Sequence, residues 1–295
     1  MSGGPAATPD IAVDCACTLG ESPVWSAAEQ ALYWVDLRAP ALYRLDAVAG
    51  GTKTWPMPAL IGAVVLRERG GPLVALQSGI HALDLVTGAC TLLVAPEPVE
   101  TDRRLNETKC DRAGRLWTST MRDFGLTATG SLYRVDRDLV AHRVLTDLRV
   151  PNALCWSPDE TTMYFADTRD GRLRAYAWDR DRGMPGAMRV LMDDGVLPGA
   201  PDGAIVDADG CLWNARYGGG AVARITPDGA IDRVVALPVP NVTSCALGGA
   251  DLRTLYVTTA RQRMSAEELA AMPSAGAVFA LRVSTPGLPE PACTL

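Results

Sequence analysis

Short apolar or alternating runs, separated by Gly, Pro and Asp, fill nearly the whole chain. Six runs share one shape, with Leu or Met in second position: "ALYWVD" (31–36), "PLVALQ" (72–77), "RLWTST" (115–120), "TMYFAD" (162–167), "CLWNAR" (211–216) and "TLYVTT" (254–259). We call the second residues the marker residues: Leu32, Leu73, Leu116, Met163, Leu212 and Leu255. They follow one another at intervals of 41, 43, 47, 49 and 43 residues. A period of this length, with several strand-like runs in each unit, predicts a β-propeller.

Six such units nearly fill the 295 residues and leave no stretch for a linker. One blade cannot bury both of its faces, so neighbouring blades must pack together and the ring must close. We therefore predict an all-β fold, a single six-bladed β-propeller domain over residues 1–295. The one helical pattern is "SAEELAAM" (265–272), where Ser265 and Glu268 have the spacing of a capping box.

An equivalent position lies ten or eleven residues before each marker residue, at the predicted start of each blade's first strand. The residues at this position are Glu21, Gly62, Asn106, Asn152, Asp202 and Ser244. In a propeller the first strand of every blade lines the central channel, so we expect these positions to form a ring at one mouth of the channel. Asp202 thus differs from Asp209 and Asp228, which precede Gly in predicted hairpin turns.

Besides Gly62 and Ser244, the ring consists of two carboxylates and two carboxamides. Oxygen ligands of this kind suit a divalent cation such as Ca²⁺. The two histidines, His81 and His142, are out of phase with the ring, which excludes a histidine-rich zinc site. Taken singly, Glu21 could be a solvated loop charge, and Asn152 or Asp202 a turn residue. Their shared phase favours one common site, and we predict a central metal-binding channel.

The composition restricts the classes of molecule that the protein is expected to bind. The formal charge of −6 and the pI near 5.0 argue against binding to nucleic acid. No apolar run approaches the roughly 18 residues of a membrane span, and the first residues have neither the basic start nor the apolar core of a signal peptide. Eight cysteines without a C-x-x-C pattern are expected to be reduced core residues. We expect a cytoplasmic monomer that acts on a small molecule.

Several motifs resemble the senescence-marker-protein, gluconolactonase and regucalcin family of sugar lactonases. These are "LGESPVW" (19–25), "LYWVD" (32–36), "RRLNETKCDRAGRLW" (103–117), "VPNALCWSPD" (150–159), "APDGAIVDADGCLW" (200–213) and "PNVTSCALGGADLRTLYVTTAR" (240–261). The resemblance extends from about residue 15 to residue 283 and implies a six-bladed propeller with one divalent metal in its channel.

The resemblance also implies roles for individual residues. It assigns the metal to Glu21, Asn152 and Asp202, and the general base to Asp202. It assigns substrate contacts to Arg104 and Asn106, and to Asp123 in "TMRD". The chain departs from the family where Asn106-Glu107-Thr108-Lys109 replaces the frequent Asn-Asp-Gly-Lys, and where Asn152-Ala153 replaces Asn-Gly. Both changes replace a Gly beside a site residue, and they bear on the shape of the pocket.

The function expected from these residues is metal-dependent hydrolysis of a sugar aldonolactone to the aldonic acid. The cation, Ca²⁺ first and otherwise Zn²⁺, Mn²⁺, Mg²⁺ or Fe²⁺, would act as Lewis acid, and Asp202 would accept a proton from water. Arg104 could instead neutralise a surface carboxylate. There is no G-x-S-x-G motif for a serine nucleophile. Two alternatives stay open: a metal-dependent esterase or organophosphate hydrolase on the same fold, and a non-catalytic metal-binding propeller with an exposed aromatic patch on its rim.

Overall fold

Each of the six sequence units folds into one four-stranded antiparallel sheet, or blade, in the computed structural model, which describes residues 9–125 and 127–295. Blade 1 contains β2 (Gly20–Ser26), β3 (Ala31–Asp36), β4 (Ala41–Asp46) and β5 (Gly51–Pro56). Blade 2 contains β6 (Ile61–Val65), β7 (Leu73–Leu76), β8 (Gly79–Leu83) and β9 (Cys90–Val94). Blade 3 contains β10 (Arg103–Cys110), β11 (Leu116–Arg122), β12 (Gly130–Val135) and β13 (Ala141–Leu148). Blade 4 contains β14 (Pro151–Trp156), β15 (Thr162–Asp167), β16 (Arg172–Asp179) and β17 (Met184–Met192). Blade 5 contains β18 (Ala200–Val206), β19 (Leu212–Tyr217), β20 (Ala221–Ile225) and β21 (Ile231–Ala236). Blade 6 contains β22 (Val242–Gly248), β23 (Thr254–Thr259), β24 (Val278–Arg282) and β1 (Asp10–Val13).

Blade 6 closes the ring because the first strand of the chain completes the last sheet. β1 pairs antiparallel with β24, with Asp10 opposite Ala280 and Ile11 opposite Phe279. The first strands of the blades, β2, β6, β10, β14, β18 and β22, each pack beside their two neighbours around the channel. The predicted all-β, six-bladed propeller is confirmed.

The apolar core lies between the blades rather than in one central mass. Six clusters of buried side chains each join two neighbouring blades, so that every blade-to-blade interface has its own core. In contrast, the outermost strands β5 and β21 expose all but one of their residues. All seven tryptophans are buried. The described residues therefore provide no tryptophan for the exposed rim patch that the non-catalytic alternative requires.

The predicted helix is confirmed as α1 (Ala266–Ala271), which lies between β23 and β24. Ser265 caps it, and the capping box with Glu268 is formed in both directions. All eight cysteines are free thiols. None of the helices in the described parts of the chain has the length and apolar character needed to cross a bilayer.

Candidate active site

Every first strand has a β-bulge at its ring position. The pairing of the first strand with the second shifts register between Glu21 and Val24, between Asn152 and Cys155, and at the corresponding place in the other four blades. A bulge bends the strand and redirects a side chain. The six bulges therefore turn the ring residues toward the channel at the mouth where the first strands begin.

Buried aspartates hold two of these strand starts in place. Asp36, at the end of β3, accepts hydrogen bonds from the backbone N–H groups of Thr18 and Leu19 at 2.7 and 3.1 Å. Asp167, at the end of β15, accepts from Arg149 and Val150 at 2.8 and 3.0 Å. Each carboxylate ties its second strand to the segment that enters the first, so the positions of Glu21 and Asn152 are fixed by their own blades.

The predicted site residues converge on one cavity of about 230 Å³, which we call the channel cavity. Its wall includes all six of them: Glu21, Arg104, Asn106, Asn152, Asp202 and Asp123. The other two ring positions add no side chain to it. Gly62 lies against Leu105, where a Cβ would come within 2.4 Å of the carbonyl oxygen, and Ser244 lies against Gly203 in the neighbouring strand. The close approach of Leu105 thus explains why position 62 is a glycine.

A chain of hydrogen bonds links these residues across blades. Asp123 accepts from Arg104 Nε at 2.7 Å, and Arg104 Nη1 donates to Asn106 Oδ1 at 2.5 Å. Asn106 Nδ2 donates to Asn152 Oδ1 at 3.1 Å and to the Pro151 carbonyl at 2.8 Å. Both amide hydrogens of Asn106 are therefore engaged, and only its carbonyl oxygen retains capacity for a further partner.

The chain of hydrogen bonds continues beyond Asn152 at one end and beyond Asp123 at the other. Asn152 Nδ2 donates to Thr168 Oγ1 at 2.8 Å, and this hydroxyl donates to the Pro201 carbonyl at 2.7 Å. On the far side, Arg38 donates to both oxygens of Asp123, at 2.6 and 2.7 Å. Blades 1, 3, 4 and 5 thus share one polar network, which fixes Asn152 and Arg104 against the cavity.

Asp202 stands apart from this network. Its side chain is buried, and its Oδ1 atom has no hydrogen-bond partner in the described structure. Burial, followed by repulsion from Glu21 and Glu107, raises the pKa of Asp202 well above its usual range. Burial and the charge of Glu107 likewise raise the pKa of Glu21 to about 8. Two carboxyl groups thus share a poorly solvated site, and the more distant charge of Arg104 does not offset their burial and repulsion.

Asp123 has the opposite environment. Burial alone would raise the pKa of its carboxyl group, but hydrogen bonds from Arg38 and Arg104 outweigh burial and hold the pKa below its usual value. It is a fixed anion between two guanidinium groups, and its oxygens are already engaged.

The donor set fits a hard divalent cation. No group of three or more His, Cys, Asp or Glu side chains in the described residues is arranged to hold a metal, so a site here requires an amide oxygen as well. Asn152 Oδ1 has a lone pair beyond its bond from Asn106. Together with Glu21 and the partnerless oxygen of Asp202 it would supply oxygen ligands to a bound cation, and a dication would relieve the repulsion between the two carboxylates.

The family model described as "SMP-30/Gluconolactonase/LRE-like region" matches residues 19–261. The chain belongs to this family. A family relative, a 6-deoxy-6-sulfogluconolactonase from Pseudomonas putida, is 42% identical over 275 residues, which are 92% of this chain and 94% of the relative. A pentonolactonase from Haloferax volcanii is 34% identical over 94% of this chain and 95% of its own. A crystal structure of a calcium-binding protein, regucalcin, from Agrobacterium tumefaciens matches with a TM-score of 0.94 at 31% identity, over 98% of both chains.

The two departures from the usual family motifs leave the site residues in place. Ala153 adopts the left-handed conformation, with φ at 55°, which glycine would adopt without strain. Its backbone still presents Asn152 to the cavity. Glu107 and Thr108 are the other departure: the Thr108 hydroxyl is bonded to that of Thr118 at 2.8 Å, and Glu107 contributes the repulsion that acts on both Glu21 and Asp202.

Sequence reasoning missed a buried charge cluster at the far mouth of the channel. Lys109 donates to the Ala204 carbonyl and lies 3.7 Å from Glu107. Glu290 acts on the pKa of Lys109 from the C-terminal segment 284–295. This segment is tied to blade 6 through Gly287 and to blades 2 and 3 through residues 293 and 294. Nothing in the repeat predicts it, because the segment lies outside the repeated units.

Proposed function

We propose that the protein hydrolyses the ester bond of a sugar aldonolactone, and that one divalent cation is held by Glu21, Asn152 and Asp202. The single observation that carries the proposal is the partnerless, buried carboxylate oxygen of Asp202 on the wall of the channel cavity, beside a second carboxyl group. Relatives in the same family are named for sugar lactones, so a hydrolase acting on lactone ester bonds is the activity that fits both the site and the family.

The cation supports the reaction electrostatically. When bound, it supplies Lewis-acid polarisation of a carbonyl group and lowers the pKa of nearby water. Ca²⁺ is the ion we expect first, because the donors are oxygens and a solved relative is described as a calcium-binding protein. Zn²⁺, Mn²⁺, Mg²⁺ and Fe²⁺ accept the same oxygen donors and belong in the same titration.

Asp202 is the general base of the proposal. Its carboxyl group accepts no hydrogen bond from another side chain, so an oxygen that is not bound to the cation can accept a proton from the attacking water. Asn152 and Glu21 are held in place by their own bulged strands, and they line the same cavity as Asp202. No serine or cysteine nucleophile is required for opening a lactone in this way.

Arg104 and Asn106 are assigned to the substrate. Arg104 uses Nε and Nη1 for Asp123, Leu105 and Asn106, which leaves Nη2 without a partner in the described structure. This group can donate to a sugar hydroxyl or to the developing oxyanion. Asn106 contributes an acceptor, because its donors are used within the protein. Asp123 lines the cavity, and we assign it chiefly to holding Arg104 and Arg38.

The test is a substrate panel. Proton release is followed after gluconolactone, xylonolactone or arabinonolactone is added to metal-loaded protein, and the rate is compared with spontaneous opening. An acyclic ester and an organophosphate triester are run beside them. Faster opening of at least one lactone, with little turnover of the other two classes, is the expected result. Preference for the ester or the triester would instead favour the esterase or organophosphate hydrolase, and no turnover would favour the binding protein.

A further inference from the structure

Arginines recur in phase around the mouth of the channel cavity. Six residues after the marker residue, four of the six blades carry Arg: Arg38, Arg122, Arg169 and Arg261. This position lies at the end of the second strand or just beyond it, and the second strand runs antiparallel to the first, so the position lies at the mouth where the first strands begin. Three of these four residues line the channel cavity, and Arg263, two residues beyond the fourth, lines it as well.

The cavity wall therefore has an excess of positive charge, although the protein as a whole is acidic. Its lining contains five arginines, Arg38, Arg104, Arg122, Arg169 and Arg263, against three carboxylates, Glu21, Asp123 and Asp202. Asp123 is shared by Arg38 and Arg104. The remaining two carboxylates belong to the proposed cation site, where a dication would neutralise them. None of the three carboxylates is thus left to balance the arginines at the mouth.

The outer arginines are poorly paired. Arg169 and Arg263 are exposed, and their side chains form no ion pair or hydrogen bond within the described part of the chain. Arg122 has one ion pair, from Nη1 to Asp102 at 2.9 Å, while its Nε is buried without a partner. Arginine presents a planar fork of N–H donors that matches sulfonate, phosphate and carboxylate groups, and an unsatisfied buried donor is costly.

We propose that Arg122, Arg169 and Arg263 form a subsite for an anionic substituent of the substrate. On this inference, which rests on the proposed lactonase function, the preferred substrate is an aldonolactone that also carries a sulfonate, phosphate or second carboxylate group. The lactone carbonyl lies toward Asp202 in the channel, and the anionic group lies at the mouth. A neutral lactone would leave Arg169 and Arg263 without a counter-charge in the described structure.

The experiment compares kcat/KM for matched lactones that differ at one position. Gluconolactone is the neutral member, and its 6-phosphate, its 6-deoxy-6-sulfonate and the lactone of the corresponding diacid are the anionic members. We expect at least one anionic lactone to be preferred, and its preference to weaken with added salt, because a Debye length of about 10 Å at 0.1 M screens the exposed arginines. The order of the three anions identifies which group the subsite fits.

Substitution of single arginines tests whether the preference for an anionic lactone comes from this subsite. Arg169→Gln and Arg263→Gln should each reduce the ratio of kcat/KM for the anionic lactone to that for gluconolactone about tenfold, the size expected for one charge-assisted hydrogen bond. The matched control is Arg233→Gln, an exposed arginine on β21 outside the cavity, which should leave the ratio unchanged. Circular dichroism and thermal melting of each variant show that the propeller is intact.

The two proposals fail differently. If gluconolactone is opened but the anionic lactones have no advantage, or if the advantage survives both arginine substitutions, the subsite is overturned while the lactonase function stands. If none of the lactones, neutral or anionic, is opened faster than it opens spontaneously, the lactonase function itself is wrong.

Discussion

Asp202→Asn separates the two roles that we assign to this residue, because it keeps the size of the side chain and removes the charge. In the protein without metal, the wild-type carboxyl group is buried, has an oxygen without a partner and is repelled by Glu21. Asn leaves the oxygen without a partner but carries no charge for burial and Glu21 to oppose, and each pKa unit of such opposition is worth about 1.4 kcal/mol. We therefore expect the metal-free variant to be more stable than the metal-free wild type by about 1–2 kcal/mol.

The order of stability should reverse when metal is added, with the wild type becoming more stable than the variant. Wild-type protein at a metal concentration of 100 times Kd gains about 2.7 kcal/mol of stability, and the variant should gain much less because a ligand is lost. Each kcal/mol corresponds to roughly 2–4 °C in Tm for a domain approaching this size. The variant should also lose about 10²-fold or more in kcat, because the general base is gone.

The assay is thermal melting at pH 8 with chelator and with saturating Ca²⁺, followed by lactone turnover. Asp228→Asn is the matched control, since Asp228 is exposed in a hairpin turn of similar sequence and lies outside the cavity. A variant that is less stable than wild type without metal, yet keeps the full Ca²⁺-induced rise in Tm and full turnover, would refute both assignments.

Two further predictions concern charge. The pKa of Glu21 is about 8 in the folded protein and usually 4.5, so between these values the metal-free folded state binds more protons than the unfolded state. The stability of the metal-free protein should therefore fall as pH rises from about 4.5 to 8, while the Ca²⁺ affinity measured by calorimetry should rise. Flat profiles for both quantities would contradict the buried carboxyl pair. Lys109→Met should lower the free energy of unfolding in urea by about 3 kcal/mol, since it leaves Glu107 facing Glu290 without a cation. Lys53→Met, on the exposed strand β5, is the control, and equal stabilities of the two variants would contradict this.

The sequence was sufficient to predict the propeller and the position of Asp202, because both follow from the repeat. Strand spacing repeats in every blade, and one phase of that repeat places Glu21, Asn152 and Asp202 on the wall of one cavity. Arg38 also occupies a repeated position, six residues after a marker residue. Its role depends on its contact with Asp123, two blades away, and the sequence around neither residue predicts that contact.

Other features could not be predicted for related reasons. The use of both Asn106 donors within the protein depends on where the Pro151 carbonyl lies in the next blade. Glu290 reaches the channel from a C-terminal segment without strand periodicity, so only the three-dimensional path of the chain brings it near Lys109. Long-range loop and tail contacts of this kind depend on tertiary packing rather than on the local pattern.

The most direct test of the central claim is lactone opening by one protein preparation in three states: as purified, stripped with a chelator, and reloaded with Ca²⁺ or another divalent ion. Proton release from the best lactone of the panel is measured in each state and corrected for spontaneous opening. We expect catalysis to be lost on stripping and restored on reloading. Lactone opening at the full rate after complete removal of the metal, verified by elemental analysis, would contradict it.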